Sequence, residues 1–261
     1  MIHFFRKIRH NLIQDHRFSK YLLYAFGEIF LVMIGILLAL QFNNWNSTKE
    51  NKKKETWYLN NILDDIYYQT QNLDFLELFF EESISTGKSI LLDYHVDKNL
   101  HKIDSLNFKL NSLMESATFP NINNTYQEMV SSGQLSLIEN SNLSVDIIDY
   151  YLYTEDNEIT FKNNLDNVFY TQVYPILNKV TFVELDSLYI EKKDENLIVE
   201  NNNFSNYIFD KLKNPEMQLS LLNAIKLKIL IETDHLDAVV ETKKAGLKLS
   251  KEIQNELDKV E

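Results

Sequence analysis

The sequence predicts an all-α protein: an N-terminal single transmembrane helix followed by an extramembrane bundle of three or four long helices. Three observations carry that prediction. One apolar stretch of 21 residues, Leu22–Phe42, stands near the start of the chain. Behind it, apolar residues recur at intervals of three, four and seven, the spacing of one helix face. Only 5 Gly and 3 Pro occur in 261 residues, too few turn formers for a sandwich or a glycine-rich nucleotide-binding fold.

Composition narrows the function classes. The chain is 44% hydrophobic and 25% charged, a globular balance. The absence of Cys excludes disulfides, thiolate zinc sites, a cysteine nucleophile and a lipid-anchored cysteine. Net charge is −12, but Arg6, Lys7, Arg9, Arg17 and Lys20 face only Asp15 in the first twenty residues. The basic start suits an anionic membrane surface. The acidic remainder repels nucleic acid, whose binding depends on phosphate neutralisation, so no nucleic-acid partner is expected.

The first element is a cytoplasmic tail, residues 1–20. Phe4, Phe5, Ile8 and Leu12 fall at helical spacing with Arg6, Lys7, Arg9 and His10 on other faces, the pattern of a helix in the headgroup plane. A floppy basic segment is the alternative.

Residues 21–45 form the transmembrane helix. At 1.5 Å per residue the apolar stretch spans about 30 Å, a bilayer core. Tyr21 and Tyr24 at one end and Trp45 at the other occupy interfacial positions. A cleaved signal peptide fits less well, given the long basic start and the lack of a small-x-small site after Leu40. Lys49, Lys52, Lys53 and Lys54 follow the span, so the positive-inside bias is slight. The short N-terminus argues for an exported domain over residues 46–261. Glu28, Val32, Gly35 and Ala39 share one helix face, and Gly35 with Ala39 is a small-xxx-small pair that permits close helix approach. That face predicts docking on a partner helix, from another membrane protein or a second copy. Snorkelling or protonation of Glu28 is the competing account.

The stretch KYLLYAFGEIFLVMIGILLALQFNNWN (Lys20 to Asn46), with its Gly-Glu-Ile motif and Gln-x-Asn-Asn-Trp-Asn exit, resembles the opening of an uncharacterised family of Bacteroidota single-pass inner-membrane proteins. NNTYQEMVSSGQLSLI (Asn123 to Ile138) is similar to that family's central motif. The resemblance implies a Gram-negative envelope and a periplasmic domain, and no particular chemistry.

The exported domain follows in order. Ser47-x-x-Glu50 reads as a capping box opening a helix, although no Gly or Pro separates it from the span. Leu59, Ile62, Leu63, Ile66, Leu73, Leu76, Phe80 and Ile84 give that helix about eight amphipathic turns. A shorter stripe runs Leu100, Ile103, Leu106, Leu110, Leu113, and Phe119-Pro120-Asn121 breaks the chain. Asn124 caps the next helix and Gly133 ends it in the left-handed conformation, turning Leu135 and Leu137 or Ile138 onto the core. Tyr126, Gln127 and Ser132 are the candidate partner or ligand contacts here. Asn142 opens a helix with Leu143, Ile147, Ile148, Tyr151, Leu152, Ile159, Leu165, Val168 and Phe169 inward, stopping near Tyr174 ahead of Pro175. Residues 181–203 read as loop or a short strand pair. Asn214-Pro215-Glu216 starts a helix of about 45 residues, whose last turns alternate Lys and Glu as an exposed helix does.

No catalytic pattern emerges. His95, His101 and His235 have no partner at metal-ligand spacing, and the carboxylate pairs Glu77/Glu81 and Asp146/Asp149 fit a solvated face. No Gly-x-Ser-x-Gly elbow or Walker loop occurs. No enzyme activity, metal or cofactor is expected. The sequence reads as an envelope interaction protein or complex subunit. A sensory module for a small periplasmic ligand is the alternative, one that needs a partner for output.

Overall fold

A computed structural model describes residues 18–183 and 204–259, so the tail helix and most of the loop or strand pair over 181–203 lie outside the described residues. Every regular element among the described residues is helical. The chain divides into two compact units, Met1–Trp57 and Tyr58–Glu261.

Helix α1 runs Phe18–Asp97. In the first unit it carries the apolar stretch, which is long and apolar enough to cross a membrane and has no buried side chain in its most apolar window. The Lys49 ammonium lies 5.6 Å from the Trp45 ring centre at the end of that stretch. The capping box is not used: Ser47 sits inside α1, and the neighbouring Thr48 hydroxyl donates back to the Asn44 carbonyl at 3.0 Å. Asn43, Asn44, Asn46, Ser47 and Thr48 are weak helix formers, but no Gly or Pro interrupts the ladder at this position, so there is no start to cap.

The second unit is built on α1 and α7 (Pro215–Leu257) packed antiparallel. In α1 the buried positions include 59, 62, 66, 69, 73, 76, 80, 83, 87 and 90, and in α7 they include 221, 225, 228, 232, 235, 239, 242, 246, 249 and 253. Strict alternation of three and four is the 3.5-residue repeat of a coiled-coil seam. Two glycines set the spacing of the seam. A Cβ on Gly87 would stand 2.9 Å from Ile229 Cδ1, and one on Gly246 would stand 3.2 Å from both Ile66 Cγ2 and Tyr150 Oη. Asn214 caps α7 as expected, its side chain accepting from the amides of Glu216 (2.8 Å) and Met217 (3.3 Å). The last turns of α7 are not a freely exposed helix: Leu249, Ile253 and Leu257 are buried against Tyr58, Leu59 and Ile62.

Between α1 and the third long element the chain returns through short pieces. The Leu100–Leu113 stripe is split into a 3₁₀ turn, Leu100–Lys102, and α2, Leu106–Leu113. Lys98 and Ser105, both left-handed at φ 51° and 53°, are the breaks. The loop after α2 is held by Gln69, buried in α1, whose amide donates to the Pro120 carbonyl and accepts from Ile122 N at 2.8 Å. Helix α3 (Asn124–Ser131) starts without a cap from its own asparagines, because Asp65 of α1 accepts from Thr125 N at 3.0 Å. Gly133 takes φ 69°, and Ile138 is buried with Leu135 and Leu137 packed beside it.

Helix α4 (Ser141–Asn164) is capped by Asn140 rather than Asn142, the side chain accepting from Leu143 N at 3.3 Å. Its inner face differs from the expectation: Leu152 and Ile159 are exposed, while Tyr150, Thr154, Asn157 and Phe161 are buried. Pro175 does not stop the helix either. The chain widens to a π-helix over Leu165–Val173 and resumes as α5 (Tyr174–Asn178), with the proline in a first turn that needs no donor. Helix α6 (Ser205–Lys213) is an additional element ahead of α7, beyond those the periodicity predicts.

Candidate functional site

The densest polar chemistry lies inside the second unit. Lys228, Glu232 and His235 follow at four and three on the buried face of α7 and are 3%, 4% and 3% exposed. One carboxylate oxygen of Glu232 receives the Lys228 ammonium at 2.8 Å, and the other receives the Ser83 hydroxyl from α1 at 2.7 Å. Lys228 also donates to the Glu115 carbonyl at 2.9 Å and lies 4.5 Å from the Phe169 ring centre. Burial pushes the lysine down and the glutamate up, and each ion opposes the other's shift.

His235 stacks on Phe161 with centroids 3.7 Å apart and planes 12° from parallel. Its Nε2 is 3.0 Å from the Asn164 amide nitrogen, which can only donate, so Nε2 accepts and the proton is assigned to Nδ1. Burial, and then the nearby Lys228 charge, hold its pKa down at about 4. The cavity these groups border, with Phe80, Ser116 and Leu165, is about 20 Å³, room for one water. Both Glu232 oxygens are committed and the cavity beside them has room for one water, so what the cluster does in this structure is link α7 to Ser83 of α1 and to the Glu115 carbonyl.

Polar links continue along α7. Asn157 donates to Thr242 at 3.1 Å inside the core, and Lys243 bridges Asp74 and Glu77. Glu77 therefore faces a lysine across the helix pair rather than acting with Glu81. Tyr150 and Tyr151 bury hydroxyls with no hydrogen-bond partner among the described residues, and burial pushes both phenols up.

The residues singled out from sequence fall in separate places. On the apolar stretch, Val32, Gly35 and Ala39 are exposed, Glu28 is partly so, and a Cβ on Gly35 would meet nothing within 4 Å. Tyr126 is core: it stacks on Tyr151 at 4.5 Å and 11°. Gln127 and Ser132 are exposed, the Ser132 hydroxyl donating to the Glu128 carbonyl at 2.7 Å. The three do not share one environment, since Tyr126 is buried and the other two face solvent. His101 packs edge-on against Phe209 and His95 lies 3.3 Å from the Lys98 ammonium. No metal-binding group of three His, Cys, Asp or Glu side chains occurs among the described residues.

Residues 28–209 match DUF6090, a family of unknown function, and over most of its length the chain belongs to that family. The match begins at Glu28 inside the apolar stretch and takes in the whole Asn123–Ile138 segment. No curated protein and no solved structure matches the chain.

Proposed function

We propose that this member of the family is a single-pass anchored protein of the Gram-negative inner membrane, of the kind found in Bacteroidota. In this reading residues 1–20 are cytoplasmic, 21–45 span the bilayer and 46–261 are periplasmic. Its role is protein–protein interaction, as a subunit of a membrane complex without catalysis of its own. The observation that carries the reading is the open face of the apolar helix. Lipid solvates Val32 and its apolar neighbours, while Gly35 and Ala39 leave a shallow seat in which a second helix gains close backbone contact. Glu28 lies on the same face and gives that contact a polar partner. Ligand sensing is the second reading: the buried polar cluster leaves space for a water only, while open clefts of about 230 Å³ beside Phe182 and Phe209 and about 490 Å³ beside Tyr207 and Met217 are where a small ligand would have to sit.

The test is affinity purification of the full chain from native membranes in mild detergent, beside Gly35→Ile and Glu28→Ala. A stoichiometric partner, or a second copy, that is recovered with the native chain and lost from Gly35→Ile supports the reading. Recovery of the chain alone, or the same partner from all three samples, overturns it.

A further inference from the structure

Helix α4 carries two apolar stripes, and the fold uses one. Ile147, Tyr151, Thr154 and Phe161 are buried. On the opposite side Val145, Leu152 and Ile159 stand 53%, 53% and 52% exposed at intervals of seven, one apolar line along the outer face of the helix. Line and charge coincide. Between residues 145 and 159 lie Asp146, Asp149, Glu155, Asp156 and Glu158 without one Lys or Arg. Asp149 and Asp156 each follow a residue of that line by four and are exposed, so they flank it with negative charge.

We propose that this face docks a basic amphipathic helix of a partner protein, with aliphatic residues along its seam and Lys or Arg along its edges. The proposal rests on the interaction reading above and adds a second, extramembrane surface to it. A second copy of α4 would set one acidic edge against another in either direction, so like charges oppose self-pairing. An anionic lipid surface is repelled for the same reason. A basic helix satisfies both features, and the 15 residues from Val145 to Ile159 give it a seat about 22 Å long.

The full chain in detergent is titrated into two labelled synthetic helices of about three heptads. Both have Ile and Leu at the seam; one carries Lys at its edges and the other Glu. The Lys helix is expected to bind, more weakly as salt rises, and the Glu helix is not. Leu152→Ser should weaken the Lys helix by about tenfold or more, and Asp149→Lys with Asp156→Lys should switch preference to the Glu helix. All three positions are exposed, and circular dichroism checks that the variants keep their helix content. Failure of the Lys helix to bind, indifference to Leu152→Ser, or an unchanged preference after charge reversal overturns the proposal. So does a sedimenting oligomer of the native chain that Leu152→Ser dissolves, which would make the occupant a second copy. If the Lys helix fails while Gly35→Ile still sheds a partner, this surface is refuted and the membrane face stands.

Discussion

Removing Glu232 should unfold the second unit far more readily than removing Glu232 and Lys228 together. Among the described residues Glu232 is the only carboxylate in an ion pair with Lys228, which is 3% exposed. In Glu232→Leu the ammonium keeps the Glu115 carbonyl and the Phe169 ring but loses its counter-ion, and an uncompensated buried charge costs about 3–5 kcal/mol. For a unit of this size that lowers the melting temperature by roughly 10 °C. Lys228→Met with Glu232→Leu removes both charges and leaves the Ser83 hydroxyl and the Glu115 carbonyl without their partners, a loss of about 1–3 kcal/mol. The double variant is therefore predicted to be more stable than Glu232→Leu alone. Urea and thermal unfolding of the full chain in detergent, followed by far-ultraviolet circular dichroism, gives the comparison. The reasoning is refuted if Glu232→Leu stays within about 1 kcal/mol of the native chain, or if the double variant is the less stable.

Further expectations follow from other buried contacts. His235 is held neutral with a pKa of about 4 against an ordinary 6.5, so its contribution is complete above pH 6.5 and is lost as pH falls towards 4. The loss amounts to about 3 kcal/mol, and His235→Phe should flatten that part of the stability-versus-pH curve. Gly246→Leu should destabilise by about 2–3 kcal/mol because Ile66 and Tyr150 already occupy the space, whereas Gly35→Leu should leave unfolding of the second unit unchanged. Tyr151→Phe removes a hydroxyl that finds no partner among the described residues and should raise stability by about 1 kcal/mol; a loss of the same size would reveal a bond to that hydroxyl.

Periodicity made the helices legible wherever apolar residues filled the seam. The stripe from Leu59 to Ile84 and the Asn214-Pro215 start of α7 were both readable, since their causes are local. What escaped was polar or distant. The alternation of three and four in α7 passes through Lys228, Glu232 and His235, and reading it as spacing rather than hydropathy would have placed them inside. On α4 the same bias favoured Leu152 and Ile159 over Thr154 and Asn157, whose hydrogen bonds to Tyr151 and Thr242 make them acceptable core residues. Asp65 caps α3 from 60 residues away, and the π-helix that absorbs Pro175 has no sequence signature. The open face at Glu28, Val32, Gly35 and Ala39 was read from spacing alone.

The arrangement about the membrane is open to one direct measurement, because the chain has no Cys. Single cysteines are introduced in the full chain at Asn11, at Ile36 and at the exposed Lys244 and Lys248. A membrane-impermeant maleimide is then applied to cells with a permeabilised outer membrane and an intact inner membrane. The account predicts labelling at 244 and 248, labelling at 11 only after lysis, and none at 36 in either state. Labelling at 11 with protection at 244 and 248 would invert the topology, and ready labelling at 36 would contradict the span itself.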